Sequence, residues 1–453
     1  MRGYATESGL TARLATLLVA TAGLFTAARP AGAQSEYLRS GPMVGYSTMR
    51  EVLLWAQTNR PADVRFVYHD TEAPQRRYST ATVRTAADRA YTAKLVADSV
   101  QPGRRYAYEI YVDGQRVERP YALRFQTPVL WQWRTDPPPF RLVIGSCNYV
   151  IDPPYDRPGE PYGGDYEIFT RIFERRPDVM LWLGDNTYLR EADWNSRTGI
   201  LYRYTHTRSL PELQPLLAST HHYAIWDDHD YGPDNSDRSY GRKRTTLEAF
   251  ELFWGNPCSG ADGRSGTACS FEWSDVEFFL LDDRYYRSPN ERVTGERTML
   301  GREQLEWLID ALVDSQATFK IIAIGSQVLN PHPASEGYSG YPEERAALLE
   351  AIGREGIEGV LFLTGDRHRT ELTRLDRPGT YPLYDLTVSP LTAGLATDIE
   401  ENELRIPGTL LVERNFAILD FQGPPEDRRM TIRVVDKDGQ ERWTRTISAN
   451  DLR

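Results

Sequence analysis

Six short apolar runs, each closing on a polar residue, constrain this chain more than any other feature. They are "FRLVIGS" (140–146), "DVMLWLGD" (178–185), "YAIWDDHD" (223–230), "EFFLLDDR" (277–284), "FKIIAIGS" (319–326) and "GVLFLTGD" (359–366). Between them lie helical patterns at 165–176, 210–218, 242–254, 301–314 and 342–355. Near-continuous apolar strands that alternate with helices belong in a sheet covered on both faces. Further strand-like runs, "YDLTVS", "FAILDF", "MTIRVVD" and "ERWTRTI", close the chain. The expected fold is an α/β sandwich with mixed sheets.

The chain before residue 140 reads differently. From Gly41 to Thr127 the runs "EVLLWAQT", "DVRFVYH", "AYTAKLVA", "RRYAYEIYVDG" and "YALRFQT" alternate apolar and polar residues, with Pro102-Gly103 and Asp113-Gly114 as turn signals. This predicts an all-β sandwich of immunoglobulin or fibronectin type over 34–128. "WQWRTDPPP" falls in a proline-rich linker, 129–139, and the second, α/β domain occupies 140–453. The opening, 1–33, reads as a secretory signal peptide. Leu14–Ala28 is apolar but short of the ~20 residues a membrane-spanning helix needs, and Ala31-Gly32-Ala33 is a small-residue cleavage site. The expected product is exported, periplasmic or secreted, with no later membrane span. A net charge of −11 argues against nucleic acid or an anionic membrane surface as partner.

Chemistry gathers where the buried strands end. Four ends read Gly145-Ser146-Cys147-Asn148, Gly184-Asp185-Asn186-Thr187-Tyr188, Trp226-Asp227-Asp228-His229-Asp230 and Gly365-Asp366-Arg367-His368. Open α/β sheets bind ligands at the carboxyl ends of their strands, where loops converge. Cys, Tyr, His and several Asp at one sheet edge match a metal cluster, and glycines there let the backbone turn sharply. The chain has three cysteines. Cys258 and Cys269 lie close enough in sequence to pair in an oxidising compartment, which leaves Cys147 over. His221 and His222 open a strand at the end away from the Asp-Asp-His-Asp motif and read as structural; His69 reads as surface, and His206 and His332 as weak candidates near the site.

In combination, "GSC", "LGDNTY", "WDDHDYGPDNSD" and "LTGDRHRTEL" resemble the signature blocks of the PhoD-like (alkaline phosphatase D) branch of the metallophosphoesterases, supported by "GREQLEWLIDAL" and "FFLLDDRYYR". The resemblance covers most of 35–450. It implies an αββα sandwich and a dinuclear site. Cys147, Asp185, Tyr188 and His368 would hold a ferric ion, and Asp185 would bridge to a calcium held also by Asp228 and Asp366. His229 would act on the departing group, with Asp228 beside it. It also implies hydrolysis of phosphate esters by water activated at the metals, with no phosphoenzyme.

The donor types agree. Thiolate and imidazole suit transition metals, and carboxylates suit hard ions. One thiolate, one phenolate and three carboxylates carry about five negative charges, which a trivalent plus a divalent ion would balance. Export through an ordinary secretory signal would leave metal to be acquired outside, so Mn²⁺ or Zn²⁺ stay open. Asn148, Arg284 and Tyr285 are candidates for contact with the phosphate. Two alternatives remain: a phosphodiesterase or phospholipase acting on lipid or wall polymers, and a catalytically inactive binding protein.

Overall fold

The structure, a computed structural model, describes residues 37–332 and 336–453; the expected signal segment, 1–33, lies outside the described residues. Two sheets of nine and six strands pack face to face. In the larger sheet, strands Phe140–Gly145, Val179–Leu183 and His221–Ile225 run parallel side by side, and Asn415–Gln422, Arg429–Asp436 and Glu441–Ser448 extend it antiparallel. In the smaller sheet, Val276–Leu280, Phe319–Ala323, Val360–Thr364 and Leu383–Thr387 are parallel, with Cys269–Trp273 and Glu371–Leu375 as antiparallel edges.

Strand periodicity assigns the two faces. Leu142 and Ile144 join Leu181, Ile321 and Leu363 between the sheets, while Val143, Met180 and Trp182 turn the other way. The latter meet helices Ile168–Glu174, Arg197–Arg208 and Lys243–Phe253 through Phe169, Tyr204 and Phe250. Helices Arg302–Asp314 and Pro342–Arg354 cover the smaller sheet with Leu308 and Leu348. Each such side chain contributes roughly 1.5–3 kcal/mol on burial. The layer order is helix, sheet, sheet, helix, as expected.

Residues 38–126 hold strands and one short 3₁₀ turn, with a hydrophobic cluster of their own around Leu54, Phe66, Tyr68, Tyr108 and Phe125. Their separation from the catalytic part is less complete than the proline-rich stretch implied. Strands Leu38–Ser47, Val52–Thr58 and Thr92–Ala97 continue the nine-stranded sheet, with Val44 opposite His221. The stretch 129–139 is tied down: Trp131 donates to the Ser274 carbonyl, and buried Arg428 donates to the carbonyls of Pro137 and Pro138. Carbonyls that lie outside any strand ladder thus find a guanidinium as donor.

Candidate metal centre

Register brings three of the four strand ends together. Leu142 lies opposite Val179, and Val179 opposite His221, so the residues after Gly145, Leu183 and Ile225 emerge along one edge. The fourth arrives from the other sheet. A side chain at Gly365 would begin 2.6 Å from the Leu183 carbonyl oxygen and 2.7 Å from Ser146 Oγ, so only glycine lets the two sheets meet here.

At that junction the side chains converge. Cys147, Asp185 and His368 offer ligand atoms within 4.8 Å of one another, as do Asp185, Asp228 and His229. Cys147 Sγ lies 3.6 Å from Asp185 Oδ2. The Tyr188 hydroxyl lies 3.1 Å from Asp185 Oδ2 and 3.1 Å from His368 Nε2. Asp185 is common to both groups. Asp228 accepts N–H bonds from His229 at 2.9 Å and Asn235 at 2.6 Å. Asp366 is nearby but differently engaged: its carbonyl oxygen lies 3.7 Å from Cys147 Sγ, and its carboxylate faces the Arg367 guanidinium at 3.5 Å.

The backbone is strained at these residues. Cys147 (φ 57°), Asp185 (φ 54°), Asp366 (φ 66°) and His368 (φ 52°) all sit in the left-handed region. Each such non-glycine residue costs on the order of 1–2 kcal/mol and persists where the surroundings over-determine it. Four cases at four proposed ligands, on three separate strand ends, are a structural signature of a site.

The electrostatics ask for cations. Burial pushes the Cys147 thiol up to about 12, although the Ser146 and Ser389 hydroxyls beside it pull the other way. Burial, then Asp228 and Cys147, push Asp185 well above the usual carboxylate range. Burial and Asp185 do the same to the Tyr188 phenol. Burial opposes the charge on Asp228 too, yet His229 and Arg284 hold it below the usual range. Burial lowers His368, partly offset by Asp366. Cys147, Asp185 and Tyr188 are thus pushed toward their protonated forms, and a bound cation would displace those protons.

The expected phosphate contacts are each engaged within the protein. Arg284 is fully buried and ion-paired to Asp227, because two neighbouring carboxylates behind the strand ends require a counter-charge. Tyr285 packs parallel to Trp226 and beneath the Lys243 ammonium. Asn148 spends both ends of its amide on the Asn186 carbonyl and the Thr392 hydroxyl. His221 and His222 are buried and bonded inside the sheet, as expected of structural histidines.

Sequence reasoning missed the residues that finish the site. Ser389 donates to Cys147 Sγ at 3.0 Å and closes the run "YDLTVS", a strand end of the same kind as the other four. The Tyr162 hydroxyl meets His368 Nδ1 at 3.2 Å from an irregular loop that carries no pattern. The ring of His229 stacks on Tyr188 at 4.1 Å, and its Nε2 lies 3.5 Å from Asp234 Oδ1. These side chains open on a cleft of about 390 Å³ lined by Tyr149, Tyr162, Tyr188, His229, Asp234 and Arg157. Arg157 has no hydrogen bond or ion pair among the described residues. Cys258 and Cys269 form a disulfide, and Cys147 is free and buried.

The family model described as PhoD-like phosphatase matches residues 142–418, and one described as a domain of unknown function matches 35–130. Alkaline phosphatase D of Bacillus subtilis (strain 168) is 23% identical over an alignment 339 residues long, which covers 61% of this chain and 56% of that protein. This chain therefore spans little more than half the length of that relative. A solved structure of PhoD superposes with a TM-score of 0.73 at 17% identity, covering 91% of this chain and 93% of that one. A purple acid phosphatase from yellow lupin (Lupinus luteus) seeds superposes with a TM-score of 0.66 at 13% identity, covering 90% and 74%. Both likenesses concern the fold.

Proposed function

Since the chain belongs to the PhoD-like phosphatase family, we propose that it is a metal-dependent phosphoric ester hydrolase whose centre lies at the junction of the two sheets. One observation carries this reading: Cys147, Asp185 and His368 converge within 4.8 Å from three separate strand ends, each on a left-handed backbone. The donor set fits the expected pair of ions. Cys147, Tyr188, His368 and Asp185 would hold the ferric ion, with Mn²⁺ or Zn²⁺ as alternatives. Asp185, Asp228 and Asp366 would hold the calcium, and Asp366 must turn from Arg367 to do so. When bound, the ions supply Lewis-acid activation of water and neutralise charge on the phosphoryl group.

The chain's own residues do the rest. His229, held by its stack on Tyr188 and by Asp234, stands at the cleft and is placed to give a proton to the departing alkoxide. Asp228 keeps its negative charge beside His229. Arg157 replaces Arg284 as the cation that meets the ester's anionic oxygens. Tyr149 and Tyr162 give the cleft an aromatic wall for the organic part of an ester. The Cys258–Cys269 disulfide suits an exported protein.

Elemental analysis of the purified protein, with assays on p-nitrophenyl phosphate and bis-p-nitrophenyl phosphate, tests the reading. Two ions per chain and turnover of at least one ester are expected. Asp185→Asn should lose both ions and at least about 10³-fold in kcat, because it removes the shared ligand. A fully loaded protein inert toward both esters would leave only a binding role.

A further inference from the structure

Three arginines stand together, unpaired, at the far end of the same strands. Arg105, Arg124 and Arg176 line one cleft of about 470 Å³ between the N-terminal β region and the catalytic sheet, with Thr71, Gln126 and Asp178. None of the three guanidinium groups has a hydrogen bond or ion pair among the described residues. The chain as a whole is acidic, with a net charge of −11, yet this cleft gathers three guanidinium groups against a single carboxylate. Neighbouring Arg104 shows the ordinary arrangement, paired with Asp70 and Glu72.

The one acid in the cleft is already used. Asp178 accepts from the Gln126 side chain at 2.7 Å and from the Arg141 N–H at 2.8 Å. Burial, then Arg176 and Arg105, lower Arg124, so these cations feel one another. Arg176 adds a backbone observation. It sits at φ 52° just past helix Ile168–Glu174, a position where glycine is the usual residue. The strain fixes the arginine at the mouth of the cleft.

We propose that this cleft is a second anion-binding site, taking a polyanion of linked phosphate groups, separate from the metal centre. Guanidinium forks match phosphate oxygens in pairs, and three of them balance more charge than one orthophosphate carries. The space is also larger than a single phosphate needs. A second cavity of about 220 Å³ shares Arg105, Gln126 and Asp178 and continues past Arg104 and Pro138, so the site is elongated. Strand Val179–Leu183 separates Asp178 from Gly184, which puts the two sites roughly 20 Å apart at about 3.3 Å per residue. A chain of phosphates long enough to span that distance could rest here while its end is cleaved.

Calorimetry with methylenediphosphonate tests this on the metal-loaded protein; the probe's carbon bridge resists hydrolysis. The parent should bind two equivalents, and Arg105→Gln/Arg124→Gln/Arg176→Gln only one. If the metal-centre reading fails, the parent binds one and the triple variant none, which still supports the second site. Arg124→Gln alone should raise Kd at this site about tenfold, the usual loss for a charge-assisted bond near water. Arg104→Gln should leave it within about twofold, since that arginine is already paired. The triple variant should keep its kcat on p-nitrophenyl phosphate. Equal stoichiometry in parent and triple variant overturns the proposal, and so does a parallel loss of binding and turnover.

Discussion

The two ends of strand Val179–Leu183 make opposite demands. Past Leu183, acids crowd together, the backbone is forced into left-handed turns, and buried groups hold protons they would release to a cation. Before Val179, histidines and backbone groups satisfy one another inside the sheet, and uncommitted charge is positive and faces solvent. The same parallel register produces both ends. The difference lies in the residues that flank the strand, glycine and aspartate after it, proline and arginine before it. Left-handed turns cluster at the acidic end, against Arg176 alone beside the other, where the histidines and the backbone complete their hydrogen bonds within the sheet.

The sharpest way to break this comparison is at His229. If the acidic end does the chemistry, His229→Ala should lower kcat about 10²–10⁴-fold, the usual range for a general acid. The loss should be smaller for an ester with a p-nitrophenolate leaving group, which needs little protonation, than for an alkyl phosphate. The fold should be unchanged, because the side chain reaches the cleft and is 19% exposed. Equal losses on both esters would make His229 an orienting residue only.

A second test concerns what holds the acidic end together before any ligand arrives. Arg284 is the buried cation behind it, near Asp227, Asp228 and Asp283. Arg284→Met should destabilise the protein by about 3–5 kcal/mol, since it leaves buried carboxylates without their partner. Urea unfolding checks this. A loss below about 1 kcal/mol would mean that Asp227 simply takes up a proton, as its raised position, set by burial against the pull of Arg284, allows.

Much of this is legible in the sequence, and the gaps have physical causes. The apolar runs locate the inner strands because strands buried on both faces must be apolar throughout. Cys147, Asp185, Asp228 and His368 are readable because each stands just past such a run. Helix Arg197–Arg208 escapes the pattern: its inward face includes Arg203 paired to Asp152 and Asp193, so apolar spacing fails there. Edge strand Glu371–Leu375 hides for the same reason, with Glu371 buried against Arg405 and Arg369. The burial of Arg284 against Asp227 and Asp228 is not legible, because sequence shows a cation near acids but not which side of the sheet it serves. The three cleft arginines come from segments far apart in the chain, so only the fold assembles them.

The last test concerns the satisfied end, where the effect per pH unit is small. His221 Nε2 accepts from the Gln126 N–H and its Nδ1 meets the Gly45 carbonyl; His222 Nδ1 accepts from Trp182, and its Nε2 meets the Leu216 carbonyl. Each imidazole is therefore locked neutral, since another proton would face a donor. Burial accordingly lowers His221 to about 4 and His222 to about 3. Below an unfolded value of about 6.5 the unfolded chain gains protons that the folded chain refuses, so stability falls with acidification. The slope is at most about 1.4 kcal/mol per pH unit for each imidazole, beginning near pH 6.5 and ending as pH passes the folded values. Replacing both, His221→Gln with His222→Gln, should flatten the acid limb of a melting-temperature profile while leaving the alkaline limb alone. An unchanged acid limb would mean that the charged groups elsewhere, not this end of the strands, set the acid tolerance of the fold.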